Sequence, residues 1–146
     1  MPGGLTTLVP AVHAGATWFM VGLIWFVQIV HYPLLGHIPA DAVPEYARAH
    51  QRRTTLVVGP LMLIEAGSAL LLLWAAGGAD DRELLSWIGL VHLAVIWAST
   101  FAVQVPLHAR LASGFDPRAW RRLVFTNWVR TIAWTSRGVI ALGLME

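Results

Sequence analysis

Four apolar stretches dominate the sequence, and each is long enough to cross a lipid bilayer as a helix. They cover residues 8–32, 54–76, 84–105 and 119–142. A bilayer-spanning helix needs about 20 mostly apolar residues. With 57% hydrophobic and 12% charged residues, a chain of 146 residues has more apolar surface than a soluble domain can bury. The sequence therefore predicts an all-α polytopic membrane protein, a single transmembrane domain over residues 1–146 built as a four-transmembrane-helix bundle.

The composition excludes several classes of function. All ten basic residues are arginine, and they are too few and scattered for a nucleic-acid surface, so no nucleic acid is expected as a partner. The absence of cysteine excludes disulfides, thiolate metal sites and thiol catalysis. The sequence has no phosphate-binding glycine loop, nucleophile elbow or zinc-protease motif. The first apolar stretch is too long for a signal-peptide core and is interpreted as the first span.

The loop charges predict the orientation of the bundle. Two connections, residues 33–53 and 107–122, together carry Arg48, Arg52, Arg53, Arg110, Arg118, Arg121 and Arg122. The second connection, residues 77–83, carries Asp80, Asp81 and Glu83 against Arg82 alone. Arginine-rich loops stay on the cytoplasmic side of a membrane. We therefore expect the N- and C-termini to lie outside, in the periplasm.

Proline and aspartate residues mark the predicted helix ends. Pro33 and Pro106 are expected to end spans one and three. Asp41, before Pro44, and Asp116, before Pro117, are expected to be N-caps that open spans two and four.

The prolines and aspartates at the predicted helix ends recur with an offset near 73 residues, which suggests a tandem two-helix repeat. The two halves would enter the membrane in the same direction, so the repeat would be parallel. A chance origin is the alternative, because Leu and Ala recur easily in membrane spans.

Polar side chains from all four helices are predicted to meet at the cytoplasmic level. Counting depth at about 1.5 Å per residue places them there, and a polar side chain that faces hydrocarbon is costly, so we expect them to face one another. Arg130 either extends to the membrane surface or anchors an anionic group such as a lipid phosphate, a quinone oxygen or a porphyrin propionate. The candidate ligand-binding residues are Gln28, His31, Gln104, His108, Asn127, Arg130 and Trp134.

Glu65 and Arg137 are predicted to form an intramembrane ion pair. Both lie near the midplane, at similar depth on the parallel spans two and four. The pair could fix only the register of the helices, or the carboxylate could handle protons or bind a ligand.

Four histidines are candidate haem or metal ligands: His92, His31, His50 and His108. The last three are predicted near one level, although their spacing matches no compact metal motif. His92 lies inside span three, where it could be an axial haem ligand or a core residue that bonds to a neighbouring helix.

The chain resembles a group of small bacterial four-helix integral membrane proteins through residues 104–108 (QVPLH), 114–117 (GFDP) and 126–134 (TNWVRTIAW). It is more distantly similar to the HemJ-type protoporphyrinogen oxidases and the CopD-like membrane proteins, through His13, His31, Arg53, Trp87 and Asn127 with their neighbours. The resemblance implies a four-helix fold in the bacterial cytoplasmic (inner) membrane. It also implies a tetrapyrrole site with haem b or a related cofactor.

Three functional hypotheses follow. The first is redox or tetrapyrrole handling in the bilayer, with a haem-like or quinone-like ligand between the helices. The second is a non-catalytic accessory subunit of a larger respiratory or photosynthetic membrane complex, and the third is a small transporter. The expected partners are the lipid bilayer and either other subunits of a membrane complex or further copies of the chain. No catalytic residue can be assigned from the sequence.

Overall fold

Four helices form the protein in the computed structural model, which describes residues 3–78 and 81–145 and contains no strand in those ranges. Helix α1 covers residues 3–35, α2 covers Val43–Ala76, α3 covers Asp81–Ser113 and α4 covers Pro117–Gly143. Asp80 of the acidic second connection lies outside the described residues. The all-helical architecture expected from hydropathy is confirmed.

The helices are arranged in a ring. Helix α1 packs against α2 and α4, and α3 packs against the same two helices. The connections 36–42 and 114–116 lie at one end, which we call the arginine-rich end because the flanking helices carry most of the arginines. One apolar core cluster near this end includes Leu35, Val43, Leu111 and Leu123, and a second, deeper cluster includes Met20, Met62, Ile96 and Trp134.

Three of the four helices are long and apolar enough to cross a membrane, namely Thr7–Leu35, Val43–Ala76 and Asp81–Ser113. Helix α4 has 27 residues but contains more polar side chains. Its polar side chains Asn127, Arg130 and Arg137 are buried, whereas Arg118, Arg121 and Arg122 near its start are exposed together with the apolar Phe125, Ile132 and Val139.

The helices are longer than the apolar stretches that predict them. Helix α2 begins at Val43, not at residue 54, and α3 continues to Ser113, not to residue 105. At about 1.5 Å per residue, the 34 residues of α2 extend over roughly 50 Å, against about 30 Å for a hydrocarbon core. The extra turns bring His50 and His108 onto helices.

The expectation that Pro33 and Pro106 end helices is wrong. Each proline follows a five-residue π-helical turn, Val27–His31 in α1 and Thr100–Gln104 in α3. The α-helix restarts after that turn, and the proline falls in the first turn of the new segment, where no backbone N–H is needed. The helix therefore continues past each proline. The two π-turns begin 73 residues apart, the offset expected for the repeat.

The two predicted N-caps have different outcomes. Asp116 caps α4 as expected, since its side chain accepts a hydrogen bond from the Arg118 N–H at 2.8 Å. The prediction for Asp41 is wrong, because α2 starts after Ala42 without a side-chain cap. The Pro39 carbonyl accepts from the N–H groups of Ala42 and Val43 at 2.9 and 3.2 Å, so a backbone oxygen takes the place of the aspartate.

Candidate functional site

A cavity of about 450 Å³ lies between α1, α2 and α3, with Arg130 of α4 on its inner wall. This volume falls within the range of small-molecule sites, roughly 300–1,000 Å³. Most of the wall is apolar and includes Met20, Ile24, Val58, Met62 and Phe101. Thr55 of α2 and Phe101 of α3 line the cavity and are also exposed, so the cavity opens on the outer surface of the bundle between these helices.

Arg130 is the one charged side chain among the described residues that line this cavity, and it is only 8% exposed. Its Nη1 donates to the Asn127 Oδ1 at 3.3 Å. Within the described part of the chain, its Nε has no hydrogen-bond partner. A guanidinium in an apolar wall with an unused donor is suited to bind an anionic or carbonyl oxygen.

A hydrogen-bond network between α1 and α4 holds Arg130 in place. Asn127 donates from Nδ2 to the Gln28 Oε1 at 2.9 Å, and the Thr131 hydroxyl is 3.4 Å from the same oxygen. Gln28 in turn donates from Nε2 to the Val124 carbonyl at 3.2 Å. Gln28, Asn127 and Thr131 are all buried. The network therefore holds Arg130 in position and does not itself contact the cavity.

Tyr32 and His108 form a polar pair beside Arg130. The Tyr32 hydroxyl lies 2.9 Å from the His108 Nε2, and the Arg130 guanidinium is next to that hydroxyl. The backbone of Tyr32 is held by Trp120 of α4, whose Nε1 donates to the Tyr32 carbonyl at 2.8 Å. The Trp120 ring also covers Gly36, where a Cβ atom would collide with it. Only glycine fits beneath this ring.

The cavity has a second uncommitted polar atom at Gln104, the last residue of the π-turn in α3. Its Nε2 donates to the Thr126 hydroxyl at 3.2 Å, which fixes the orientation of the amide. Its Oε1 is buried and has no partner within residues 3–78 and 81–145. Gln104 and Arg130 therefore both line the cavity, and each has a polar atom that no described residue bonds.

Three histidines lie close together at the arginine-rich end. The rings of His31 and His50 stack with centroids 4.1 Å apart, and the rings of His50 and His108 are 5.4 Å apart. The Tyr46 hydroxyl is 3.4 Å from the His31 Nδ1, and the Thr54 hydroxyl is 3.2 Å from the His50 Nδ1. Helices α1, α2 and α3 each contribute one of the three rings.

The candidate haem and metal ligands contact other protein groups. Across the described ranges, no group of three or more His, Cys, Asp or Glu residues is placed to hold a metal ion. The Nε2 of His108 is next to Tyr32, and both nitrogens of His50 lie within 3.4 Å of the Thr54 hydroxyl. His92 lies apart from the cavity, with its Nδ1 2.9 Å from the Ile88 carbonyl of its own helix.

Glu65 and Arg137 form a buried ion pair deeper in the bundle. Arg137 Nη2 donates to the Glu65 Oε1, and Arg137 Nη1 donates to the Gly89 carbonyl of α3. His13 Nδ1 is 2.9 Å from the Ser68 hydroxyl, and that hydroxyl donates to the Glu65 carbonyl. The pair does not line the cavity.

An apolar layer lies between the ion pair and the cavity. Met62 precedes Glu65 by three residues, Trp134 precedes Arg137 by three, and both belong to the deeper core cluster together with Met20 and Ile96. The polar side chains of the bundle are therefore divided into two groups.

The structure thus distributes the candidate ligand-binding residues over four places. Gln104, His108 and Arg130 line the cavity. Gln28 and Asn127 support Arg130, and His31 stacks on His50. Trp134 is buried in the deeper core and does not reach the cavity.

Sequence reasoning missed several lining residues, among them Thr54, Thr100 and Met62. The spacing of four residues between His50 and Thr54 would have indicated a shared face if α2 had been extended beyond its apolar stretch. No comparable signal marks Thr100, because its place in the cavity depends on the π-turn.

Comparison with known proteins gave no match to a family model, a curated protein or a solved structure. Function is therefore inferred from the geometry of the cavity.

Proposed function

We propose that the protein is an integral membrane protein that binds a lipophilic ligand of the quinone class in the cavity beside Arg130. The observation that carries the proposal is the unpartnered, buried Arg130 Nε at the inner wall of an otherwise largely apolar cavity. A quinone combines an apolar ring and tail with carbonyl oxygens that accept hydrogen bonds. The chemistry of the wall matches both parts of such a molecule.

The lateral opening supports a ligand that arrives from the bilayer. Thr55 and Phe101 border the opening on α2 and α3, at a level where both helices present apolar neighbours to the outside. A hydrophobic molecule dissolved in the membrane could enter there without crossing water. Its polar end would then face Arg130 and Tyr32.

A quinone fits the polar residues better than a tetrapyrrole does. Haem iron needs an axial ligand such as a histidine nitrogen, and the cavity histidines His50 and His108 have ring nitrogens next to the hydroxyls of Thr54 and Tyr32. A quinone carbonyl needs only donors, which Arg130 and Tyr32 supply. We therefore propose the quinone alternative of the redox hypothesis.

We also propose that α4 is the fourth membrane span. Helix α4 buries Asn127, Arg130 and Arg137 and turns Ile132 and Val139 outward, which is the pattern required of a polar helix in lipid. By the positive-inside rule, the arginine-rich end lies in the cytoplasm and both termini lie outside, in a bacterial inner membrane. The common 73-residue offset of the π-turns supports duplication of a two-helix unit.

Titration of the purified protein in nanodiscs with decylubiquinone tests the proposal, with quenching of tryptophan fluorescence as the readout. We expect saturable binding that weakens in Arg130→Gln. Loss of a hydrogen bond from a charged donor costs about 1.5–3 kcal/mol, or roughly 10- to 150-fold in affinity. Arg122→Gln is the matched control, because Arg122 is an exposed arginine on the same helix. Circular dichroism checks that each variant is folded.

Two results would contradict the proposal. One is non-saturable quenching that is equal in the wild type and in Arg130→Gln, which would indicate simple partitioning into lipid. The other is a Soret band in the purified protein, or one that forms on addition of haemin, which would favour a tetrapyrrole.

A further inference from the structure

We propose that His31, His50 and His108 form a proton-exchange path that connects solvent at the arginine-rich end with the inner wall of the cavity. The inference rests on the proposed function in one respect, namely that the path exchanges protons with a ligand bound beside Tyr32 and Arg130. The path itself is a property of the side chains and can be measured without a ligand.

The path begins at an exposed residue and ends at a buried one. Tyr46 is 40% exposed, and its hydroxyl is 3.4 Å from the His31 Nδ1. Tyr32 is 3% exposed, and its hydroxyl is 2.9 Å from the His108 Nε2. His50 lies between the two histidines, with ring centroids 4.1 Å from His31 and 5.4 Å from His108. Five titratable side chains thus lie in series, with hydrogen-bonding distances at its two ends and ring contacts on both sides of His50.

The chemistry of imidazole suits this series. A neutral imidazole accepts a proton on one nitrogen and can release one from the other. The stacked rings of His31 and His50 are not directly hydrogen-bonded, so transfer between them requires a bridging water molecule. The His31 Nε2 is buried and, in the described residues, has no hydrogen-bond partner, so water reaches it only when the stack opens.

The charged and titratable groups that face the path come from all four helices. Helix α1 supplies His31 and Tyr32, α2 supplies Tyr46 and His50, and α3 supplies His108. Helix α4 supplies Arg130, whose guanidinium is next to Tyr32. Tyr32 and Arg130 both line the cavity, so the path ends at its inner wall.

The deciding experiment measures the exchange of the His108 ring N–H with water, by saturation transfer in protein labelled with ¹⁵N-histidine in nanodiscs. His50→Phe keeps a ring in the stack and removes both nitrogens. We expect it to slow exchange at His108 by about tenfold or more, since a positioned proton donor typically contributes about 100- to 10,000-fold. His31→Phe should also slow the exchange at His108, and it takes the place of His50→Phe in the test if that variant does not fold.

His92→Phe is the matched control, because His92 is on the same helix as His108 and contacts the Ile88 carbonyl instead of the cluster. It should leave the exchange rate unchanged. Equal rates in the wild type, His50→Phe and His31→Phe would overturn the path and indicate that His108 exchanges directly with water in the cavity. Failure of decylubiquinone to bind would refute the proposed function alone, because the exchange rate requires no ligand.

Discussion

Arg137 on α4 and Glu65 on α2 pair with each other at the centre of the bundle, where they are 2% and 0% exposed. Arg137 also donates to the Gly89 carbonyl, so a single guanidinium connects α2, α3 and α4. Burial of two charges in this setting is expensive unless each satisfies the other. The pair thus makes the association of three helices depend on two side chains.

Removal of one partner of this pair should be severely destabilising. We expect Glu65→Ala to lose about 3–5 kcal/mol, because an unpaired guanidinium is left in an apolar environment. Thermal unfolding followed by tryptophan fluorescence in detergent provides the measurement. The double variant Glu65→Met with Arg137→Met should recover most of the loss, since it removes both charges. A single variant as stable as the wild type would show that water reaches the pair.

Gly36 should not tolerate even a methyl group. In Gly36→Ala the new Cβ would collide with the Trp120 ring, and overpacking of this kind costs about 1–3 kcal/mol. Displacement of Trp120 would also disturb the hydrogen bond that holds Tyr32. Thermal stability and decylubiquinone affinity should both fall. Gly67→Ala is the control, because a Cβ there meets no atom within 4 Å; an equal loss in both variants would contradict the steric explanation.

The N-cap of α4 should make the stability of the protein vary with pH in the acid range. Hydrogen bonds from the backbone N–H groups of Arg118 and Ala119 lower the pKa of Asp116 from its usual value near 3.9. A carboxyl whose pKa is depressed by folding contributes stability above its unfolded pKa and loses it as the pH falls through the folded pKa. Melting temperature as a function of pH measures the effect.

Asp116→Asn is the informative comparison for this cap, because asparagine also caps helices but does not titrate. The stability of the wild type relative to Asp116→Asn should decline as the pH drops below about 4. A difference that stays constant down to pH 2 would contradict a stabilising role for the ionised cap.

Hydropathy was sufficient to predict the helices because the apolar stretches are long and separated by charged loops. Depth counting along two parallel helices placed Glu65 opposite Arg137, since both helices start at the same end and rise equally per residue. The same counting grouped Gln28 with Asn127. These relationships depend on regular geometry, which a sequence specifies directly.

The cavity could not be predicted in the same way. His50 lies in the connection 33–53 between the first two apolar stretches, because hydropathy marks the part of a helix in lipid and not the turns that continue into water. Trp134 was expected near the ligand because it shares a stripe with Arg130, yet one further turn places it in the deeper core. The π-turns have no sequence signature beyond the proline that follows, since their hydrogen-bond pattern is set by packing.

The π-turns at Val27–His31 and Thr100–Gln104 also set the direction, around the helix axis, in which the side chains after each turn point. Each turn adds one residue to its helix, and one residue corresponds to about 100° of rotation. Tyr32 and His108 both follow such a turn, and they meet with this offset in place. Deletion of one residue from either turn would rotate the following segment away from its partners, so the site could be dismantled without replacing any side chain that forms it.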